Sequence, residues 1–166
     1  MAMTHRFSIL LVDDEPGQRT VLAGFLRKKA HTVREAGSVG EALTLVAQEV
    51  PNIVLTDMRM TDRTGLDLLR EVRKISPDTT VIIMTAFGTI EQAVQAMQDG
   101  AYSYLTKPID LGELDVLMQR IGEREQLISE NRLLKEQLVN RYALAGIIAG
   151  SPAMETVLNT AGRVAQ

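Results

Sequence analysis

Two acidic residues, Asp13 and Asp14, directly follow the apolar run at 7–12. A third, Asp57, follows Ile53-Val54-Leu55 with only Thr56 between. Thr85 follows Val81-Ile82-Ile83-Met84, and Lys107 follows the run at 102–105, just before Pro108. Three carboxylates, one ammonium and one hydroxyl make a hard, oxygen-rich set that suits Mg²⁺. A carboxylate is a poor nucleophile toward a phosphoryl group, because both are negative. A divalent ion between them offsets that repulsion. Lysine adds a compact positive charge, and a threonine hydroxyl can donate to a phosphoryl oxygen. Taken singly, each residue has an ordinary reading. An Asp after a strand usually caps or turns, a Lys-Pro is usually a loop, and a lone Thr is usually structural. Their joint placement at the ends of four separate strands is what carries the chemistry.

That placement requires a particular set of elements. Phe7-Ser8-Ile9-Leu10-Leu11-Val12 reads as the first strand, and Val21, Leu22, Phe25 and Leu26 recur at helical spacing. Thr32-Val33-Arg34-Glu35 is a weak second strand. Ser38 with Glu41 predicts a capping box for a helix carrying Ala42, Leu43, Leu45 and Val46. Ile53-Val54-Leu55 is the third strand, and Leu66, Leu68, Leu69 and Val72 form the next helical stripe. Val81 to Met84 is the fourth strand, Thr89 with Gln92 a further capping box, and Ala93, Val94 and Met97 its stripe. Tyr102 to Leu105 is the fifth strand. Strands alternating with helices, some without internal polar alternation, argue for a buried parallel α/β sheet. In such a sheet all five polar side chains gather at the carboxyl edge, where open α/β sheets bind ligands.

Past Pro108 the pattern changes. Asp110 with Glu113 can cap a helix, and from Leu111 to Tyr142 only Gly112 and Gly122 weaken it, at about 1 kcal/mol each. Such a helix is a rod of roughly 45 Å. Leu127, Asn131, Leu134 and Leu138 follow 4-3-4 spacing, with Asn131 among leucines as a register-setting polar residue, which favours a two-stranded coiled coil. A helix lying on its own following domain is the plainer alternative.

Composition excludes several classes. The chain has 166 residues, 45% hydrophobic and 23% charged, so it is globular rather than disordered. With 18 basic and 21 acidic residues it has no basic stripe for nucleic acid. With no cysteine and only His5 and His31, thiol catalysis and Cys or His metal sites are out. No apolar run reaches the length of a membrane span, and no signal-peptide core follows the N-terminus. A cytoplasmic location is the default expectation.

The motifs Leu11-Val12-Asp13-Asp14-Glu15, Val54-Leu55-Thr56-Asp57-Met58-Arg59-Met60, Ile83-Met84-Thr85-Ala86 and Tyr104-Leu105-Thr106-Lys107-Pro108 stand in order over residues 7 to about 120. Together they resemble a bacterial response-regulator receiver domain. The resemblance implies a flavodoxin-like (CheY-like), doubly wound sheet of five parallel strands in the order 2-1-3-4-5, with a long C-terminal helix. It implies Asp57 as phosphoacceptor. Asp14, Asp57 and the backbone carbonyl of Arg59 would bind Mg²⁺, with Asp13 assisting through water. Thr85 and Tyr104 match the switch pair. Thr85 and Lys107 match the phosphate-contacting residues, with a cis proline at Pro108. One departure is Thr61, where the family usually has proline after Met60, four residues before Gly65. That predicts a less stiff loop.

The stretch Met84-Thr85-Ala86-Phe87-Gly88-Thr89-Ile90-Glu91-Gln92-Ala93-Val94 resembles receivers of NtrC-like activators. Gly146-Ile147-Ile148-Ala149-Gly150-Ser151-Pro152-Ala153-Met154 resembles the opening of their AAA+ ATPase domain, which works on sigma-54 RNA polymerase. The chain therefore reads as a receiver at 6–118, a helical coiled-coil linker at 119–142 and an N-terminal AAA+ fragment at 143–166, a piece of a longer protein. The implied partners are a sensor histidine kinase, the protein's own AAA+ domain and a second copy of the chain. The fragment itself is expected to touch neither nucleic acid nor membrane, and not to be a turnover enzyme. Two other classes are weighed against this. A haloacid-dehalogenase-type phosphatase needs a second Asp two residues beyond the nucleophile, where this chain has Arg59. A flavodoxin-type carrier needs a Ser/Thr/Gly-rich phosphate loop where this chain has Asp13-Asp14-Glu15.

Overall fold

The computed structural model describes residues 5–86 and 90–143. The capping box at Thr89 and the ATPase-like stretch at 146–154 lie outside those residues. The element order is β1 (Ser8–Val12), α1 (Pro16–Lys28), β2 (Thr32–Ala36), α2 (Val39–Gln48), β3 (Ile53–Asp57), α3 (Gly65–Ile75), β4 (Thr80–Thr85), α4 (Ile90–Gln98), β5 (Ser103–Thr106) and α5 (Leu111–Ala143). The strands pair in the order β2-β1-β3-β4-β5, all parallel. This is the doubly wound arrangement expected above. Among the described residues no helix is long and apolar enough to cross a membrane. The chain divides into two units, Met1–Gln119 and Arg120–Gln166.

The strands form because their residues can be buried on both faces. Leu10, Val12, Val54, Val81 and Ile83 join one core with Val39, Ala42 and Val46 of α2 and Leu68, Leu69 and Val72 of α3. The alternating residues Ile9, Leu11, Ile53, Leu55, Ile82 and Met84 are equally buried and face the other side, where α1 packs through Leu22, Ala23 and Leu26.

Helix starts are locally encoded. Pro16 opens α1, where its missing N–H costs nothing. The Ser38 hydroxyl accepts the Glu41 N–H at 3.2 Å, but the Glu41 carboxylate takes the N–H of Gly37 rather than closing the box on Ser38. A full capping box stands instead at α3, between Thr64 and Asp67. The Asp110 carboxylate accepts the N–H groups of Gly112 and Glu113 at the start of α5.

Three sequence expectations shift. β5 begins and ends one residue later than its apolar run. Val21 is exposed, so the stripe of α1 is narrower than its spacing predicts. In α4, Val94 and Met97 are about half exposed, while the small Ala96 is fully buried. Spacing defines a helical face, but it does not say which face the sheet covers.

One buried polar group has a pH consequence. His31 is buried, and its Nδ1 accepts the backbone N–H of Phe7 at 3.2 Å while its ring stacks on Phe7. Burial lowers its pKa; Asp115 opposes that and Lys29 adds to it. The imidazole is thus held neutral, and the folded state resists its protonation. The resulting stability is complete above the unfolded-state pKa and is lost as pH falls through the folded one. The urea midpoint should therefore drop between about pH 7.5 and pH 5.5, and His31→Gln should flatten that drop. An unchanged slope would disprove the assignment.

Candidate functional site

The site assembles at the carboxyl ends of β1, β3, β4 and β5. Lys107 Nζ lies 2.8 Å from Asp13 Oδ2 and 2.8 Å from Asp57 Oδ2, bridging two strand ends that are far apart in sequence. Asp13 is fully buried. Its Oδ1 accepts the N–H of Glu15 at 2.8 Å, and its own N–H donates to the Ala36 carbonyl at 3.1 Å. Asp57 Oδ1 accepts the Arg59 N–H at 3.3 Å. A carboxylate oxygen from each of Asp13, Asp14 and Asp57 lies within 4.8 Å of the others.

Lys107 stays charged in this setting. Burial works to deprotonate it, but hydrogen bonds and charges from Asp13 and Asp57 together outweigh that and raise its pKa. Three carboxylates against one ammonium leave a formal charge of about −2, the balance a divalent cation would neutralise. Oxygens on opposite sides of a bound Mg²⁺ are about 4 Å apart, so the donor set and its spread fit that ion.

Thr85 ends β4 and is buried; its carbonyl accepts the Lys107 N–H at 2.8 Å. Tyr104 pairs with Ile83 in the sheet register and is 42% exposed. The Lys107–Pro108 peptide bond is cis. Asp13, Asp14, Asp57, Thr85 and Lys107 thus come to one edge, with Arg59 on the loop that follows Asp57. Leu127, Asn131, Leu134 and Leu138 are on the second part of α5 and are exposed.

The loop that lacks a proline at Thr61 is braced by hydrogen bonds instead. The Gly65 N–H donates to the Met58 carbonyl at 2.9 Å, and Arg59 pairs with Thr64 as an antiparallel bridge. The Asp62 carboxylate accepts the N–H groups of Val39 at 3.2 Å and Gly40 at 3.1 Å, at the start of α2. Desolvation works to raise the Asp62 pKa, but backbone N–H groups of Gly40, Val39, Arg63 and Asp62 itself pull it below the ordinary carboxylate value. Sequence reading missed Asp62. It also missed Arg19, whose guanidinium donates to the Asp13 carbonyl. Asp62 acts across the fold and Arg19 through a main-chain oxygen six residues back, and no local pattern marks such partners.

Comparison with known proteins agrees with this fold. The family model described as response regulator receiver domain matches residues 9–119. The response regulator protein PilR of Pseudomonas aeruginosa is 37% identical over 97% of this chain and 34% of its own length. The chain spans about a third of the length of the curated relatives it matches. The solved structure of NtrX from Brucella abortus superposes with a TM-score of 0.75 at 31% identity, covering 97% of this chain and 35% of that one. A receiver domain protein from Clostridium thermocellum superposes at 0.69 with 33% identity, covering 73% of this chain and 98% of that one. A five-stranded parallel sheet of this order, a family match over most of the chain and these relatives together show that the chain belongs to the response-regulator receiver family, as a two-component receiver domain of the NtrC-like kind.

Proposed function

We propose that Asp57 is a phosphoacceptor, loaded in a Mg²⁺-dependent step by a sensor histidine kinase. The observation that carries this reading is the Lys107 ammonium held 2.8 Å from both Asp13 and Asp57. A carboxylate oxygen of Asp57 attacks phosphorus, the bond from phosphorus to the donor histidine breaks, and the imidazole leaves with its electron pair. Bound by Asp13, Asp14, Asp57 and the Arg59 carbonyl, Mg²⁺ would supply the positive charge that lets an anion approach an anion. Lys107 exchanges its contact with Asp57 for a phosphoryl oxygen, a short move for a flexible ammonium. The Thr85 hydroxyl donates to a second phosphoryl oxygen, and Tyr104, half exposed nearby, takes up the space that Thr85 vacates. With Arg59 where a phosphatase has its second Asp, that family's general acid is missing from its position. The chain then promotes its own phosphorylation and dephosphorylation without being a turnover enzyme.

Labelling with acetyl phosphate, with Mg²⁺ and with chelator, followed by mapping of the modified peptide, tests this. Mg²⁺-dependent label on the peptide containing Asp57 is expected. Label elsewhere, or label independent of the metal, would sink it.

Downstream, phosphorylation governs an AAA+ ATPase that acts on sigma-54 RNA polymerase in the cytoplasm, a reading supported by the NtrC-like relatives and by the sequence at 146–154. The second part of α5 supports a parallel homodimer. Leu127, Ile128, Leu133, Leu134 and Leu138 are each 46–66% exposed, and burying a leucine is worth about 1.5–3 kcal/mol. Sedimentation equilibrium of the full chain at tens of micromolar should give a dimer that Leu127→Lys with Leu134→Lys dissociates. A monomeric wild type would defeat the idea.

A further inference from the structure

We propose that Arg19 is a positioning residue for the acidic pair after β1, and so for Mg²⁺ affinity; this rests on the metal-dependent reading above. Arg19 lies in the first turns of α1, and its side chain is only 20% exposed. Its Nη1 donates to the main-chain carbonyl of Asp13, and its Nε stands 3.4 Å from Glu35 Oε2 on β2. Glu35 Oε1 is in turn 2.9 Å from Arg27 Nη2.

The carbonyl that Arg19 holds belongs to the peptide plane joining Asp13 to Asp14. That plane is rigid, so fixing its oxygen fixes the direction in which the chain leaves Asp13. The bonds from Asp13 to Ala36, Glu15 and Lys107 fix its amide and its carboxylate. The Arg19 bond acts on the link to Asp14. A guanidinium suits this task because its planar fork can hold a carbonyl and a carboxylate at once. Glu35 aims the fork, and Arg27 steadies Glu35.

Positioning and plain electrostatics predict opposite signs. Removing a cation near three carboxylates should tighten Mg²⁺ binding by Coulomb's law. Releasing the Asp13–Asp14 peptide should weaken it, because the ligands must then be ordered when the ion binds. Loss of a group that orients metal ligands typically costs about tenfold or more in affinity.

The test is a Mg²⁺ titration of the full chain, followed by the amide shifts of residues 13–15 and 57–59. Arg19→Met should weaken binding about tenfold, and Arg19→Lys less, since it keeps the charge and one donor. Equal or tighter binding in Arg19→Met would overturn the proposal. Should that variant fail to fold, Glu35→Gln carries the test. It keeps the donor but frees the fork, and should weaken binding about threefold; unchanged affinity there overturns the proposal. The readout is independent of phosphoryl transfer. A wild type that binds Mg²⁺ but takes no label would end the functional reading alone. A wild type that binds no Mg²⁺ would end both.

Discussion

Asp57→Asn takes up no phosphoryl group from acetyl phosphate under conditions that label the wild type, and intact-mass analysis reads the difference directly. The substitution is nearly isosteric, so the end of β3 keeps its shape. The amide oxygen can still accept the Arg59 N–H that Asp57 Oδ1 accepts at 3.3 Å. What is lost is the anionic oxygen that, in the proposed reaction, attacks phosphorus. Lys107 keeps its bond to Asp13 at 2.8 Å, so its charge is not stranded. The variant should match the wild type in far-UV circular dichroism while its labelling falls to background. Equal labelling of the two proteins would remove Asp57 from the acceptor role.

Gly65→Ala should lower stability by about 3 kcal/mol, against the usual sign of this exchange in a helix. Gly65 opens α3, and helix propensity alone would favour alanine by about 1 kcal/mol. A Cβ at this position would stand 2.3 Å from the carbonyl oxygen of Asp57 and 3.2 Å from the Cα of Met58. Both are backbone atoms, and the strand behind them is hydrogen-bonded to β4, with Met58 N–H on the Met84 carbonyl at 2.7 Å. Relief must come from moving the residue that would carry the phosphoryl group. Urea denaturation measures the loss, and the labelling rate should fall with it. A neutral or stabilising effect would show that α3 can slide away at little cost.

Much of this was legible in the sequence, for a physical reason. Parallel strands buried on both faces are runs of apolar residues, so Leu10-Leu11-Val12 and Ile82-Ile83-Met84 announce themselves. The residues one or two past each run must lie at the sheet's edge, which places Asp13, Asp57 and Lys107 there. The misses share another trait. Asp62 reaches 22–23 residues back to α2, and Arg19 works through a main-chain oxygen that every residue possesses. Neither leaves a periodic mark. Thr64 and Asp67 do leave a local mark, a capping box, at the end of the loop that lacks the proline.

The sheet also has two open borders. β2 and β5 each have a neighbour on one side only, and a bare strand border is a template on which another chain can crystallise into fibre. Here both borders are poor templates. β2 is five residues long and holds Arg34 and Glu35 among them, with the Arg34 guanidinium drawn onto the carbonyls of Leu45 and Glu49. β5 offers four residues before Lys107 and a proline that has no N–H to give. A chain brought close to its own copies, as the dimer proposed above would require, can thus meet them through helices, without its sheets fusing edge to edge.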